Sequence, residues 1–233
     1  MALIYIKDVG EGARLGLWRM DEEPGELLLR HPHLRRLDMP YKNVGRQREY
    51  LCVRALLKEM TADESLRIDH TQSGRPVVEG WAVSISHTRG YAALMLARER
   101  GCTADMGRSP RQALGVDIEY RSDRIARIAS HFIRPDEMGG DALTAAASGC
   151  QPAAEAVERM LILWCAKETL YKLHSGDNLH YFDMRLAASR QPLPGAAGND
   201  GEGVITLENM KRGEQVTIHV TLTADYCLTW AAT

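Results

Sequence analysis

The segment Gly115-Val116-Asp117-Ile118-Glu119 determines how the second half of this 233-residue chain is interpreted. Apolar residues alternate with Gly115, Asp117 and Glu119, and this period of two predicts a β-strand. Both carboxylates therefore project from the same face. They could form the solvated side of an edge strand. Aspartate is depleted in strands, however, so a functional site is the second interpretation of this face.

A second segment, Trp164-Cys165-Ala166-Lys167-Glu168-Thr169-Leu170-Tyr171-Lys172, predicts a helix. Trp164, Glu168 and Lys172 are spaced four apart and lie on one side of it. Alone, Glu168 and Lys172 could be an ordinary surface pair that contributes roughly a few tenths of a kcal/mol. If the strand and helix faces meet, three carboxylates and an ammonium group converge. Hard oxygen ligands of this kind suit Mg²⁺, which takes its other ligands from water and substrate phosphates.

The two segments together resemble the signature of the 4′-phosphopantetheinyl transferases, in their larger, surfactin-synthetase-activating branch. Gly74-Arg75-Pro76 resembles the Gly-Lys/Arg-Pro turn of that branch, and Ser84-Ile85-Ser86-His87-Thr88 resembles its strand-ending Ser-His step. The stretch from Asp123 to Glu137 resembles the one that follows the metal-binding strand. The resemblance extends from about Arg46 to Lys172 and implies an enzyme of this family.

The implied fold is α+β, with two similar α+β lobes related by a pseudo-two-fold and the coenzyme between them. We expect an N-terminal lobe at residues 1–112 and a C-terminal lobe at 113–233 that carries the metal site. Periodicity predicts helices at 46–60, 124–132 and 153–174. It predicts strands at 2–9, 14–20, 82–85, 91–97, 114–120, 181–187, 204–209, 215–221 and 226–230, with a short one near Val77. A polar loop is expected at 101–112, and 139–154 is either a weak helix or a disordered excursion.

The resemblance also implies the reaction. The 4′-phosphopantetheine arm of coenzyme A, the co-substrate, passes to a serine hydroxyl of an apo acyl or peptidyl carrier protein, and adenosine 3′,5′-bisphosphate is released. Asp117, Glu119 and Glu168 are the implied Mg²⁺ ligands, and Glu168 is also a candidate general base. Lys172 would neutralise the α-phosphate, and Lys167 is expected as a second phosphate contact. Catalysis would therefore rest on Asp117, Glu168 and Lys172.

For the nucleotide end of the coenzyme, the resemblance implies contacts from the first half of the chain. Ser86 and His87 match the family step that meets the 3′-phosphate, whereas a histidine without that context is more commonly a turn or core residue. Arg75 takes the place of the basic residue in the Gly-x-Pro turn. Arg48 begins the long predicted helix where the family places basic contacts, and Arg46 is the alternative if the alignment slips.

Composition limits the function classes and partners. A formal net charge of −2 gives no overall basic field, so a nucleic-acid partner is not expected. A locally basic stretch from Arg30 to Arg48 is either a solvated helix surface or an attractor for a charged coenzyme or an acidic partner. Five cysteines without CxxC spacing indicate neither zinc nor a disulfide framework. No segment approaches the roughly 20 apolar residues of a membrane span. We therefore expect a cytoplasmic location. We also expect a monomer.

Two other function classes fit parts of the pattern. Asp-x-Glu on a strand followed by basic residues is also found in Mg²⁺-dependent nucleases, but Arg121 follows Tyr120 here and the chain lacks a DNA-sized basic surface. A non-enzymatic module that binds coenzyme A or a carrier protein would be marked by the loss of a metal ligand. None of the three expected carboxylates is missing, so the sequence favours the transferase.

Overall fold

The computed structural model describes residues 2–99, 112–138, 153–187 and 201–233. The chain divides into two compact units, Met1–Leu114 with Ala232–Thr233, and Gly115–Ala231. Each unit combines helices with an antiparallel sheet, so the α+β class is confirmed. The pseudo-two-fold and the boundary at residue 112 stay predictions. Nearly all of the expected loops at 101–112 and 139–154 lie outside the described residues.

The first unit holds a four-stranded sheet in the order β1-β2-β6-β5 and a separate two-stranded hairpin, β3-β4. In chain order its elements are β1 Leu3–Asp8, β2 Ala13–Arg19, helix α1 Pro24–Arg30, a 3-10 helix Pro32–Arg36, α2 Val44–Thr61, β3 Asp69–His70, β4 Pro76–Val77, β5 Trp81–Thr88 and β6 Tyr91–Arg98. Helix α2 buries Val53, Leu57 and Met60, which lie on one side of it, and Tyr50 on the same side is half-buried. The helix begins after Asn43, whose side-chain oxygen accepts the Arg46 N–H.

The second unit holds a five-stranded sheet in the order β7-β11-β10-β9-β8. Its elements are β7 Leu114–Tyr120, a 3-10 helix Asp123–His131, α3 Ala154–Leu173, a 3-10 helix Tyr181–Asp183, β8 Met184–Leu186, β9 Gly201–Asn209, β10 Glu214–Leu222 and β11 Tyr226–Ala232. Helix α3 packs on the sheet, where the Thr169 hydroxyl lies 2.6 Å from that of Thr229 in β11. This contact places the predicted helix against the sheet that contains the predicted strand.

Some predicted elements differ from the structure. The helix expected at 124–132 is a 3-10 helix, and the strand expected at 181–187 is a 3-10 helix followed by the three-residue β8. Helix α1 was not predicted, although its start carries a recognisable signal. Pro24 occupies the first turn, and the Glu26 carboxylate accepts the Glu23 N–H at 2.9 Å, as in a capping box.

The described residues bear on two expectations from composition, which concern membrane-spanning segments and the cysteines. No helix in these ranges is long and apolar enough to cross a membrane. The cysteines at 52, 165 and 227 are buried and free. Burial raises the pKa of the Cys165 thiol well above its usual value, so this thiol stays protonated and unreactive. The cytoplasmic location stays a prediction.

Candidate functional site

The site in the second unit depends on a close approach between β7 and α3. Gly115 is buried, and a Cβ atom built on it would collide with the carbonyl oxygen of Thr169. The same Cβ would lie 3.1 Å from the Thr169 carbonyl carbon and 3.2 Å from the Leu173 nitrogen. Only glycine, which has no Cβ, lets the strand backbone come this near to the helix backbone. The glycine of the first segment therefore brings the strand face and the helix together.

Asp117 and Lys172 form the centre of this contact. The Lys172 ammonium donates to Asp117 Oδ1 at 2.7 Å and to the Val116 carbonyl at 3.0 Å. Asp117 is only 4% exposed, although β7 is an edge strand of the sheet. The interpretation of this face as the solvated side of an edge strand is therefore wrong, because α3 covers it. Lys172 also bonds across to the strand, so it is not an ordinary surface partner of Glu168.

Glu168 lies next to this pair and is held by Tyr181. The Tyr181 hydroxyl donates to Glu168 Oε1 at 2.7 Å. Burial raises the pKa of the Glu168 carboxyl, and the negative charge of Asp117 adds to the rise, while Tyr181 and Lys172 oppose it. Burial also raises the pKa of the Tyr181 hydroxyl, and the adjacent Glu168 reinforces this. Tyr181 therefore remains protonated and acts as the donor.

Glu119 is held by the tryptophan of the helix segment. Trp164 Nε1 donates to Glu119 Oε1 at 3.1 Å. Its ring centroid lies 5.0 Å from that of Phe132, edge to face, and 5.2 Å from that of Tyr181. Trp164 therefore does more than fill space, because its indole N–H reaches a candidate metal ligand. The three aromatic side chains form one cluster whose polar atoms contact both glutamates.

The three carboxylates of this site are candidate ligands for a divalent cation. Asp117, Glu119 and Glu168 supply hard carboxylate oxygens from one strand and the helix packed on it, and this chemistry suits Mg²⁺. Within the described part of the chain, however, no group of three or more histidine, cysteine or acidic side chains is close enough to hold a metal ion. Each carboxylate is instead engaged by a different donor. The shared magnesium site stays a prediction.

Lys167 lies elsewhere than expected. Its side chain is fully buried, and its ammonium donates to Glu137 Oε2 and to the Phe132 carbonyl, both at 2.7 Å. Burial lowers the pKa of Lys167, and the Glu137 carboxylate opposes this. The other Glu137 oxygen accepts the Leu186 N–H at 2.7 Å. An ammonium enclosed in this way cannot also meet a phosphate at the surface, so the expected phosphate contact is corrected to a structural ion pair.

In the first unit, the structure brings His87 and Arg46 together. Both line one pocket, and both approach Glu49, with 3.7 Å from His87 Nδ1 and 2.8 Å from Arg46 Nη1 to Glu49 Oε2. The Arg48 guanidinium pairs with Glu23 instead. Arg46, the alternative at the start of the helix, therefore lines the same pocket as His87, and Arg48 does not line it.

The other two expected coenzyme contacts have different surroundings. Ser86 is buried on β5 beside His87. Arg75 is exposed, and its backbone N–H donates to Thr71 Oγ1 at 3.1 Å within the turn that joins β3 to β4. Gly74 has a φ of +81°, so this turn needs the glycine of the Gly-Arg-Pro segment. The roles of Ser86 and Arg75 stay predictions.

Tyr181 and Glu137 contribute to the site although the sequence interpretation assigned neither a role. Tyr181 follows Glu168 by 13 residues and Glu137 precedes Lys167 by 30 residues, so no helical or strand spacing connects them. A tyrosine in a short segment after the helix, and a carboxylate in the stretch that resembles the family pattern, were the only available signals. Their partners depend on tertiary packing.

A comparison with known protein families covers the part of the chain that contains this site. A sequence model described as the 4′-phosphopantetheinyl transferase superfamily matches residues 113–231, just over half of the chain. No curated protein matches the chain significantly. The matched range contains β7, α3 and every residue of the strand–helix site described above. The chain therefore belongs to the 4′-phosphopantetheinyl transferase superfamily.

Proposed function

We propose that this chain transfers the 4′-phosphopantetheine arm of coenzyme A to a serine of an apo acyl or peptidyl carrier protein. The observation that carries the proposal is the convergence of Asp117, Glu168 and Lys172 across a strand–helix contact that lies within the superfamily match. The proposal includes dependence on Mg²⁺ and action as a cytoplasmic monomer. The surfactin-synthetase-activating branch is the proposed subfamily.

The proposed chemistry is attack by the serine oxygen on the pyrophosphate phosphorus next to the pantetheine arm. A new P–O bond forms, the pyrophosphate P–O bond breaks, and adenosine 3′,5′-bisphosphate leaves with the bonding pair. Glu168 accepts the serine proton, directly or through a water. A carboxylate with a raised pKa is a better proton acceptor than an ordinary glutamate while it remains ionised.

The remaining charged groups would handle the pyrophosphate. Asp117, Glu119 and Glu168 would hold Mg²⁺, which when bound supplies charge neutralisation at the transferring and leaving oxygens. Lys172 has a flexible stem and a compact ammonium group, and it would offset the charge on the departing α-phosphate. Its ammonium already lies 2.7 Å from Asp117 Oδ1, so it is anchored beside the proposed metal ligands.

The test of this proposal is direct. The protein is incubated with coenzyme A, Mg²⁺ and a panel of apo carriers from fatty-acid, polyketide and nonribosomal-peptide systems, and each carrier is analysed by mass spectrometry. We expect a pantetheinylated serine on at least one carrier. A module that only binds coenzyme A or the carrier would leave every serine unmodified while still forming a complex, and that result would favour the binding function.

Recognition of the nucleotide end gives a separate prediction. We propose that His87 and Arg46, with Arg48, Arg75 and Ser86 as further contacts, meet the 3′-phosphate through charge-assisted hydrogen bonds. Each such bond contributes about 1.5–3 kcal/mol. Dephospho-coenzyme A should therefore have a higher KM than coenzyme A, and His87→Ala should narrow the difference mainly through KM. An unchanged preference in that variant would show that the 3′-phosphate is recognised without His87.

A DNA cleavage assay distinguishes the proposed transferase from the nuclease alternative. Plasmid and single-stranded DNA should remain uncut in Mg²⁺ or Mn²⁺, and binding should be weak at physiological salt because a chain of net charge −2 can neutralise few phosphates. Gel electrophoresis of the plasmid topoisomers provides the measurement. Nicking that requires the metal and disappears in Asp117→Ala would support the nuclease instead.

A further inference from the structure

We propose that Tyr181 is a positioning residue that fixes the Glu168 carboxylate for metal binding and proton transfer. This inference rests on the proposed function and assigns a role to a side chain outside the two sequence segments. Its starting point is the 2.7 Å hydrogen bond from the Tyr181 hydroxyl to Glu168 Oε1. Among the described residues, Glu168 is the member of the proposed machinery to which the Tyr181 hydroxyl donates.

Tyr181 can fix the orientation of the Glu168 carboxylate because contacts of its hydroxyl, its ring and its backbone carbonyl restrain it. Its hydroxyl bonds to Glu168, and its ring centroid lies 5.2 Å from that of Trp164 and 6.4 Å from that of Phe132. Its carbonyl oxygen accepts from the buried Lys167 ammonium at 3.4 Å. The aromatic cluster and the internal ion pair thus both determine where the hydroxyl points.

The short helix that carries Tyr181 is also anchored. The Asp183 carboxylate accepts the His180 N–H at 2.8 Å, and the same carboxylate lies 3.1 Å from the Lys211 ammonium at the β9–β10 connection. Tyr181 therefore follows a backbone position that is tied to the sheet. A hydrogen bond from such a residue limits the rotation of the Glu168 carboxyl group.

Positioning leaves Glu168 able to act. A carboxylate offers two oxygens with about four lone-pair sites, so one hydrogen bond on Oε1 restricts its orientation without using its capacity as a ligand or base. Outer partners of this kind orient metal ligands, and their removal typically costs about 10–100-fold in metal affinity or activity. The aromatic ring alone accounts for packing. The hydroxyl is the part that needs a functional explanation.

The test uses Tyr181→Phe, which keeps the ring and removes only the hydroxyl. Mn²⁺ binding to the protein without coenzyme is measured by electron paramagnetic resonance, and transfer is measured separately with coenzyme A and a carrier. We expect Mn²⁺ affinity to fall about 10-fold or more and kcat to fall similarly, while the KM for coenzyme A stays within about 2-fold. Tyr171→Phe removes the hydroxyl of an exposed tyrosine on α3, the helix that carries Glu168, and should leave both values unchanged.

A double-mutant cycle identifies the group through which Tyr181 acts. If the hydroxyl works through Glu168, Tyr181→Phe should have no further effect on Mn²⁺ affinity in a Glu168→Ala background. An equal loss in both backgrounds, or wild-type binding and kcat in Tyr181→Phe, would overturn the inference. Hydroxyl-dependent Mn²⁺ binding in a protein that transfers nothing would support the positioning role and overturn the proposed function. Absence of both Mn²⁺ binding and transfer in the wild type would overturn both.

Discussion

Replacing Glu168 by glutamine is expected to slow transfer by about 10²–10⁴-fold, the usual contribution of a general acid or base. The amide keeps the size of the side chain and can still accept the Tyr181 hydroxyl through its carbonyl oxygen. It can neither take the serine proton nor supply an anionic metal ligand. Burial raises the pKa of Glu168, so the ionised carboxylate is costly in the folded protein and its loss should not reduce stability.

Transfer kinetics and thermal unfolding measured on the same samples separate chemistry from folding. Glu155→Gln is the matched control, because Glu155 is exposed in the first turn of the same helix and should retain full activity. Asp117→Ala and Glu119→Ala should also lose most of their activity. Near wild-type turnover of Glu168→Gln at saturating Mg²⁺ would remove both roles proposed for this residue.

Replacing Gly115 by alanine is expected to be the most damaging small substitution for the second unit. The added Cβ would overlap the Thr169 carbonyl oxygen, and backbone atoms cannot move aside as a side chain can. Overpacking typically costs about 1–3 kcal/mol, and we expect the upper end or more because helix and strand must separate. The melting temperature and the free energy of unfolding should fall, and transfer should fall with them.

Gly176→Ala provides the comparison for this substitution. A Cβ at Gly176 would have no heavy atom within 4 Å, so the same chemical change should be nearly neutral there. Unfolding of both variants in urea, followed by circular dichroism, gives the difference in free energy. Equal stability of the two variants would show that β7 and α3 are not packed as closely as the structure has them.

Clear local sequence patterns explain which elements could be predicted. The strand Leu114–Tyr120 has the predicted bounds, and α3 differs from its prediction by one residue at each end. The strand alternates at a period of two, whereas α3 is a 20-residue, largely apolar segment rich in good helix formers. The strand predicted at 181–187 was wrong because a three-residue 3-10 helix and a three-residue strand are too short to show a period. Their conformation depends on contacts with distant parts of the chain.

The same distinction applies to the site. Four-residue spacing correctly placed Glu168 and Lys172 on the side of α3 that faces Asp117. The phosphate contact predicted for Lys167 was wrong because adjacent helical residues point about 100° apart, so Lys167 cannot share the face of Glu168. Its partner Glu137 comes from a separate stretch of the chain. The donors Tyr181 and Trp164 could not be assigned to their glutamates, because those pairings arise only when the sheet, the helix and the short helix at 181–183 pack together.

Counting both products of one reaction tests whether the chain transfers the phosphopantetheine arm. Wild-type protein, coenzyme A, Mg²⁺ and an apo carrier are combined, and adenosine 3′,5′-bisphosphate and modified carrier are quantified in the same sample by chromatography and mass spectrometry. One nucleotide should be released for each serine modified, and a chelator should abolish both products until Mg²⁺ is added back. Folded protein that leaves all carriers of the panel unmodified would contradict the proposed function.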